Sequence, residues 1–330
     1  MRRALALLAL SAGALVLAGS TSAAQPRDGV KNFQHVFVIM MENTGYNHLV
    51  GNADAPWINS AIAKYGVATQ YFGASHPSQP NYIAATSGIT GPNSDNDETL
   101  AVPNIVDNLE AAGKSWTAYM QSYSLCVTPF DHACGNQLYE RKHNPFISYA
   151  DVQSSPQRIS HIVDYSQLSS DLASNTVSDY NWISPDQCND MHGRGGGGSS
   201  DPCDFSNEPL LIRAGDTFLK NTVDAIQDSR AWNGNSAIFI VWDESDFGGT
   251  GPSGFPDTSG CCDASVPFGG GHVLGLVISH SDHQPRQSSV AYNHYSLLRT
   301  IEDGWKLGCL GATCDTANVP AMTDLVGPKG

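Results

Sequence analysis

Acidic and amide side chains follow directly after two apolar runs of the sequence. Glu42 and Asn43 come after HVFVIMM at residues 35–41, and Asp243 and Glu244 come after AIFIVW at residues 237–242, with Asp246 close behind. Carboxylates brought together at strand ends repel one another unless a cation lies between them. Their oxygens suit a hard divalent ion such as Ca²⁺, Mg²⁺ or Mn²⁺, so the pattern predicts a metal site. The alternative is that Glu42 caps a helix and Asp243 lies in a solvated turn.

A serine that could act as a nucleophile lies in SHPSQPNYIA, residues 75–84. Ser78 precedes a helix-compatible run with Pro80 in its first turn. Free N–H groups and the positive end of the dipole at a helix N-terminus bind phosphate, and a metal ion activates a serine without a histidine base. The alternative is an ordinary N-cap, and the segment alone does not distinguish Ser75 from Ser78. The sequence contains no GxSxG elbow, so an acyl-transfer triad has no support.

Four of the eleven histidines stand close to these patterns. His76 is two residues before Ser78, and His192 follows Asp190 in the run NDMH. His272 begins an apolar run, and His294 stands at the start of a helical pattern. Each of the four taken singly, like the seven others, is typical of a structural or surface histidine. The others are His35, His48, His132, His143, His161, His280 and His283.

Apolar runs alternate with helical patterns along the chain. Strands are predicted at residues 35–40, 115–120, 178–183, 236–242 and 272–279, and helices at 104–112, 210–229 and 295–305. Several runs do not alternate in polarity, which is typical of strands buried on both faces. The pattern predicts an α/β sandwich with a mostly parallel central sheet.

Two cysteine-bearing segments, residues 121–158 and 187–207, lack periodicity and are predicted to be disulfide-stapled loops near the site. The eight cysteines form four pairs of near neighbours, Cys126/Cys134, Cys188/Cys203, Cys261/Cys262 and Cys309/Cys314. Pairing within each couple is the simplest assignment, although the adjacent Cys261 and Cys262 could pair elsewhere. The glycine-rich run at 193–200 lacks the lysine of a nucleotide-binding loop.

The N-terminus has the pattern of an export signal. Two arginines, an apolar run and small residues predict a signal peptide at residues 1–24, followed by a single domain at 25–330. The apolar run is too short to span a membrane, and the net charge of −15 disfavours nucleic acid and anionic membranes. We therefore expect a secreted monomer with no stable membrane anchor.

Five ordered blocks resemble the bacterial phosphoesterase family that contains acid phosphatases and phospholipases C. ENTGYNHLVG at 42–51 is similar to its ENxxFDHxxG opening, with Asn47 in place of the usual Asp, and SHPSQPNY at 75–82 is similar to its nucleophile segment. NDMH at 189–192, WDESD at 242–246 and YNHYSLL at 292–298 resemble later blocks in the same order. The likeness covers residues 36–303 and implies an alkaline-phosphatase-like three-layer sandwich.

By this resemblance, each block carries a role. The metal ligands would be Glu42, Asn43, Asp243 and Glu244, around one divalent ion (Ca, Mg, Mn or Zn). Ser78 would be the nucleophile, His192 and His294 would hold phosphate oxygens or protonate the leaving group, and Asp190 would support them. His76 and His272 are further candidates.

The expected function is a secreted, metal-dependent acid phosphatase that acts on small phosphate esters through a phosphoserine. The chain is shorter than the large phospholipases C and lacks their extra C-terminal domains, which favours monoesters. The alternatives are a phospholipase C-type phosphodiesterase acting on phospholipid, and a non-catalytic secreted protein that binds Ca²⁺.

Overall fold

The computed structural model describes residues 29–30, 32–245, 257–262, 269–281 and 284–326. The predicted signal peptide, Asp246 and His283 lie outside these ranges. No helix in the described ranges has both the length and the apolar character needed to cross a bilayer.

The described residues form a central sheet with helices on either side and a small separate hairpin. The strands are β1 Val36–Met41, β2 Gly66–Phe72, β3 Trp116–Met120, β4 Ala133–Cys134, β5 Tyr139–Glu140, β6 Ile162–Asp164, β7 Tyr180–Ser184, β8 Ala237–Trp242, β9 His272–Ser279, β10 Arg286–Ser288 and β11 Tyr292–Asn293. The helices are α1 Tyr46–Leu49, α2 Pro56–Lys64, α3 Ser78–Ser87, α4 Ile105–Ala111, α5 Ala150–Gln153, α6 Pro156–Ile159, α7 Gln167–Ser174, α8 Glu208–Gln227 and α9 His294–Trp305.

The central sheet is mostly parallel, as predicted. Its strand order is β10-β2-β9-β8-β1-β7-β3-β6, with β11 also paired to β2, and β4 and β5 form the separate hairpin. β9 runs antiparallel to both of its neighbours, β2 and β8, while the other pairs in the central sheet are parallel. Every residue of β1 and β8 is buried, because helices cover both faces of the sheet.

Two groups of helices form the outer layers, and the first of them carries Ser78. In this group α3 packs against α9, and in the other α2 and α7 pack against α8. Tyr82 of α3 lies against Trp182 of β7 with ring centroids 6.0 Å apart, and Trp182 in turn meets Phe146 edge to face. All ten residues of α3 are buried, so this helix is fixed between the sheet and its neighbours.

The predicted strands at 35–40, 115–120, 178–183, 236–242 and 272–279 and the three predicted helices are confirmed within one or two residues. β2 is not predicted from the sequence because Thr69, which is half-buried, and Gln70, which is exposed, interrupt its apolar character. The segment 121–158 is not the irregular loop that we predicted. It contains the β4–β5 hairpin and two short helices, α5 and α6, which are below the length that periodicity detects.

All eight cysteines are paired in sequence order. The disulfides are Cys126–Cys134, Cys188–Cys203, Cys261–Cys262 and Cys309–Cys314. The adjacent Cys261 and Cys262 therefore pair with each other and not elsewhere. Three of the disulfides close surface loops, two of them in the segments that lack regular periodicity.

Gly88, in the turn that ends α3, lies in close contact with the backbone of Leu310. Gly88 has φ +73°, and a Cβ there would lie 2.0 Å from the carbonyl oxygen of Leu310. Gly113 has a similar φ of +69° but nothing within 4 Å of the added carbon. We expect Gly88→Ala to lower the free energy of unfolding by about 3 kcal/mol, and Gly113→Ala by about 1 kcal/mol. Urea denaturation measures both, and equal losses would contradict the close contact.

Candidate active site

The pairing of β1 with β8 brings the two acidic strand ends together. The strands are parallel with Met41 opposite Trp242, so the residues that follow them lie at the same edge of the sheet. The register continues for one more step, because the Asp243 N–H donates to the Met41 carbonyl at 2.9 Å. Carboxyl ends of parallel strands are where α/β proteins bind ligands. This edge is therefore the candidate site.

Asn43 turns the chain sharply after β1. Its φ of +38° lies in the left-handed region, which asparagine tolerates better than most residues. Its backbone N–H donates to Asp243 Oδ1 at 2.9 Å, and its side-chain amide donates to Glu42 Oε2 at 3.3 Å. The turn thus fixes the side chains of Glu42 and Asn43 beside Asp243.

Ser78 lies between two of the predicted metal-binding carboxylates. It is the first residue of α3 and is 1% exposed. Its Oγ lies 3.0 Å from Glu42 Oε2 and 3.3 Å from Glu244 Oε1, either of which can accept the hydroxyl proton, and Asn43 Nδ2 lies 3.5 Å from Oγ. The structure therefore brings Ser78 together with Glu42, Asn43 and Glu244. Ser75 Oγ is instead within hydrogen-bonding distance of the His76 carbonyl and of Asn93 Oδ1.

The oxygens around Ser78 fit a hard cation. Glu42 Oε1, Asn43 Oδ1 and Asp243 Oδ2 are buried. Asn43 Oδ1 and Asp243 Oδ2 have no hydrogen-bond partner among the described residues, and Glu42 Oε1 faces His143 Nε2 at 3.1 Å. Burial and the neighbouring Asp243 raise the pKa of Glu42, while burial and Glu244 raise the pKa of Asp243. A divalent ion would satisfy these oxygens and relieve the repulsion between the carboxylates. The donor set of carboxylate, amide and hydroxyl oxygens is suited to Ca²⁺, Mg²⁺ or Mn²⁺.

Asp190 and His192 form a second wall of the site. The Asp190 carbonyl accepts the Glu42 N–H at 2.9 Å, and its Oδ1 accepts the His192 N–H at 2.8 Å. His192 Nδ1 donates to the Gly193 carbonyl at 2.6 Å, which directs Nε2 away from this turn. Burial and the charge of Lys142 lower the pKa of His192. Asp190 is therefore hydrogen-bonded to the backbone on either side of the site, at Glu42 and at His192.

His143 is a site residue that the sequence interpretation did not single out. It is 3% exposed, with Nε2 3.1 Å from Glu42 Oε1 and Nδ1 3.6 Å from Asp190 Oδ2. Its ring stacks on Tyr82 at 5.3 Å. It follows Lys142 in a 3-10 turn inside the segment predicted to be a loop, where no strand or helix period drew attention to it. The expectation of a surface or structural role for His143 missed this contact with the carboxylates.

The other three candidate histidines have different surroundings. His294 is fully buried, with Nε2 2.6 Å from the Asp243 carbonyl and Nδ1 3.2 Å from the Tyr71 hydroxyl, and burial lowers its pKa to about 4. His76 contacts Glu244 through Nδ1 and the Asp257 carbonyl through Nε2. His272 donates to the Thr69 carbonyl and stacks on Tyr46. His76 thus adjoins the carboxylates, whereas His272 contacts neighbouring strand and helix residues.

Lys142 and Asp95 complete the site, and neither was singled out from the sequence. Lys142 Nζ lies 3.1 Å from Asp95 Oδ2, and Asp95 Oδ1 accepts the backbone N–H of Gln79 at 3.0 Å. The first free N–H after Ser78, which we had expected to face a phosphate, is therefore taken by Asp95. A positive side chain stands close to the same helix end.

Comparison with known proteins places the chain in a family. Residues 51–308 match the Phosphoesterase family. The chain is 26% identical over 296 residues to a probable acid phosphatase of Kluyveromyces lactis, covering 87% of this chain and 62% of that protein. It is 27% identical over 327 residues to a phosphatidylinositol-3-phosphatase of Mycobacterium tuberculosis, covering 98% and 91%.

A solved structure confirms the predicted fold. A protein of the alkaline phosphatase superfamily from Vibrio parahaemolyticus superposes with a TM-score of 0.55 at 14% identity, covering 91% of this chain and 71% of that one. The fold is thus an alkaline-phosphatase-like α/β sandwich. The match of residues 51–308, which is most of the sequence, identifies this chain as a member of the Phosphoesterase family.

Proposed function

We propose that this chain is an exported, metal-dependent phosphatase that hydrolyses phosphomonoesters through a phosphoserine at Ser78. The observation that carries the proposal is the Ser78 hydroxyl, buried 3.0 Å from Glu42 and 3.3 Å from Glu244, beside oxygens that have no partner among the described residues. The two curated relatives described above are both named as phosphatases, which supports a phosphate ester as substrate. Pairing of all the cysteines supports export.

Glu42, Asn43, Asp243 and Glu244 would hold a divalent ion. When bound there, the ion supplies positive charge that favours the ionised form of the Ser78 hydroxyl and offsets charge on the phosphoryl oxygens. On the protein side, His76 contacts Glu244 through Nδ1. Burial alone would lower the pKa of His76, but the hydrogen bond with Glu244 raises it.

Ser78 Oγ would attack phosphorus in line with the ester oxygen, forming the Oγ–P bond as the P–O ester bond breaks. His192 Nδ1 carries the ring proton toward Gly193, so Nε2 is free to accept the proton that Ser78 loses and to pass it to the departing alkoxide. In the second step the same nitrogen removes a proton from water as water attacks phosphoserine, and passes it to Ser78 Oγ as the Oγ–P bond breaks, which releases inorganic phosphate and restores the Ser78 hydroxyl. Asp190 fixes His192 through its backbone N–H.

His294 fits a positioning role better than the role in holding phosphate or donating a proton that the resemblance implies. Both of its ring nitrogens are within hydrogen-bonding distance of protein oxygens, and one of these is the main-chain carbonyl of Asp243. It would therefore orient the strand end that carries Asp243.

Ser78→Ala should abolish turnover of p-nitrophenyl phosphate, with a loss of about 10⁴-fold or more in kcat, because no covalent intermediate can form. Ser75→Ala is a matched control, since Ser75 is also buried, three residues away, and bonded to His76 and Asn93. Mass spectrometry of acid-quenched protein should find phosphate on Ser78 and on no other residue. Phosphate at a different residue would overturn the assignment.

Asp243→Asn should remove the stabilisation that a divalent ion gives. Wild-type protein at a metal concentration about 100 times Kd should gain about 2.7 kcal/mol in free energy of unfolding over chelated protein. The variant should gain little, although without metal it should be at least as stable as wild type because one repulsive charge is gone. Asp216→Asn is the control, because Asp216 is a buried aspartate that accepts N–H groups from Trp57 and Ile58, away from the site. Thermal unfolding with and without chelator measures the difference.

Replacing His192 and His294 should separate proton transfer from positioning. His192→Gln should lower kcat for an alkyl phosphate by about 10²-fold or more, and for p-nitrophenyl phosphate much less, because p-nitrophenolate leaves without a proton. His294→Gln should lower both rates by the same factor. An equal effect of His192→Gln on the two substrates would assign the proton to another group.

A further inference from the structure

Lys142 is a cation held inside an acidic site. Its side chain is 15% exposed and belongs to the 3-10 turn Arg141–His143. Burial raises the pKa of Glu42 and of Asp190, and the charge of Lys142 opposes both rises. Burial lowers the pKa of His143 and of His192, and Lys142 lowers both further. The ammonium group is thus in electrostatic range of both walls of the site.

Asp95 links Lys142 to the nucleophile. One carboxylate oxygen of Asp95 lies 3.1 Å from Lys142 Nζ, and the other accepts the N–H of Gln79, the residue after Ser78. Lys142 is therefore connected through Asp95 to the N-terminal end of α3, one residue from the nucleophile.

The ammonium group of Lys142 has N–H bonds that no described residue accepts. Within the described ranges, Asp95 is the one acceptor within hydrogen-bonding distance of Nζ, and an ammonium group carries three N–H bonds. The neighbouring Arg141 is engaged by the carbonyls of Phe130 and Glu98. In a chain with a net charge of −15, Lys142 brings a positive charge near the start of α3, where an anionic ligand of Ser78 would bind.

We propose that Lys142 binds a phosphoryl oxygen of the substrate and makes the site prefer phosphomonoesters to phosphodiesters, with Asp95 as the residue that positions it. The proposal rests on the proposed function of Ser78. A monoester group near neutral pH carries about two negative charges over three terminal oxygens. A diester has one charge fewer and one terminal oxygen fewer, so it gains less from a second cation beside the metal site.

Lys142→Met tests this role with two substrates that share a leaving group, p-nitrophenyl phosphate and bis(p-nitrophenyl) phosphate. We expect kcat/KM for the monoester to fall by about 10²-fold and that for the diester by less than about 10-fold. Lys142→Arg should keep most of the preference because it keeps the charge. Lys114→Met is the matched control, since Lys114 is 26% exposed, pairs with Asp179 at 2.9 Å and precedes β3 at its opposite end from the site.

A binding measurement separates this proposal from the function on which it rests. Calorimetry should show that Lys142→Met weakens the binding of inorganic phosphate to Ser78→Ala protein by about 10-fold or more. This measurement does not require turnover, so it applies even if Ser78 proves not to be the nucleophile. If Ser78→Ala protein keeps its activity, the proposed function is wrong, whatever the effect of Lys142→Met on phosphate binding.

Lys142→Met alone leaves the Asp95 carboxylate without its cation, which could disturb folding. The double variant Lys142→Met/Asp95→Asn removes both charges and so avoids this effect. It should reproduce the loss of monoester preference with an unfolding midpoint close to that of wild type. Equal losses for both esters together with unchanged phosphate binding would show that Lys142 only neutralises the carboxylates, and would overturn the proposal.

Discussion

Burial of like charges is the constraint on which the site depends. Glu42, Asp243 and Glu244 are each no more than 1% exposed, and the pairing of β1 with β8 holds the first two at matching positions. Removing carboxylates from water costs several kcal/mol per ion unless opposite charge and hydrogen bonds compensate. The compensating groups come from separate segments, His76 before α3 and Lys142 with His143 after β5. The fold must therefore hold distant parts of the chain in register at one edge of the sheet.

That requirement explains why the helix carrying Ser78 is so deeply packed. A displacement of α3 by one ångström would change the distances from Ser78 Oγ to both Glu42 and Glu244, and such errors in a reacting geometry are costly. Tyr82 on the next turn of α3 meets His143 and Trp182, so the helix is fixed against both the site and the sheet. Tyr82 therefore both packs α3 against the sheet and contacts a side chain of the candidate site.

The sequence allowed the central strands and the predicted ligands to be located because both depend on local pattern. Apolar runs that are buried on both faces predict strands, and the acids after two of them predict a shared edge once the sheet is parallel. His143, Lys142 and Asp95 could not be found this way, because they lie in short turns whose position is set by contacts distant in sequence. The motif around His294 resembles a family block, but it does not show that both ring nitrogens contact protein oxygens, because packing determines those contacts.

The disulfides have a consequence for how the chain matures. Those that close loops join cysteines 8, 15 and 5 positions apart, so each pair meets by a short-range motion of the backbone. Bringing the ends of short loops together loses less entropy than closing long ones. Each of these disulfides can therefore form without waiting for the central sheet to assemble and without bringing distant cysteines together.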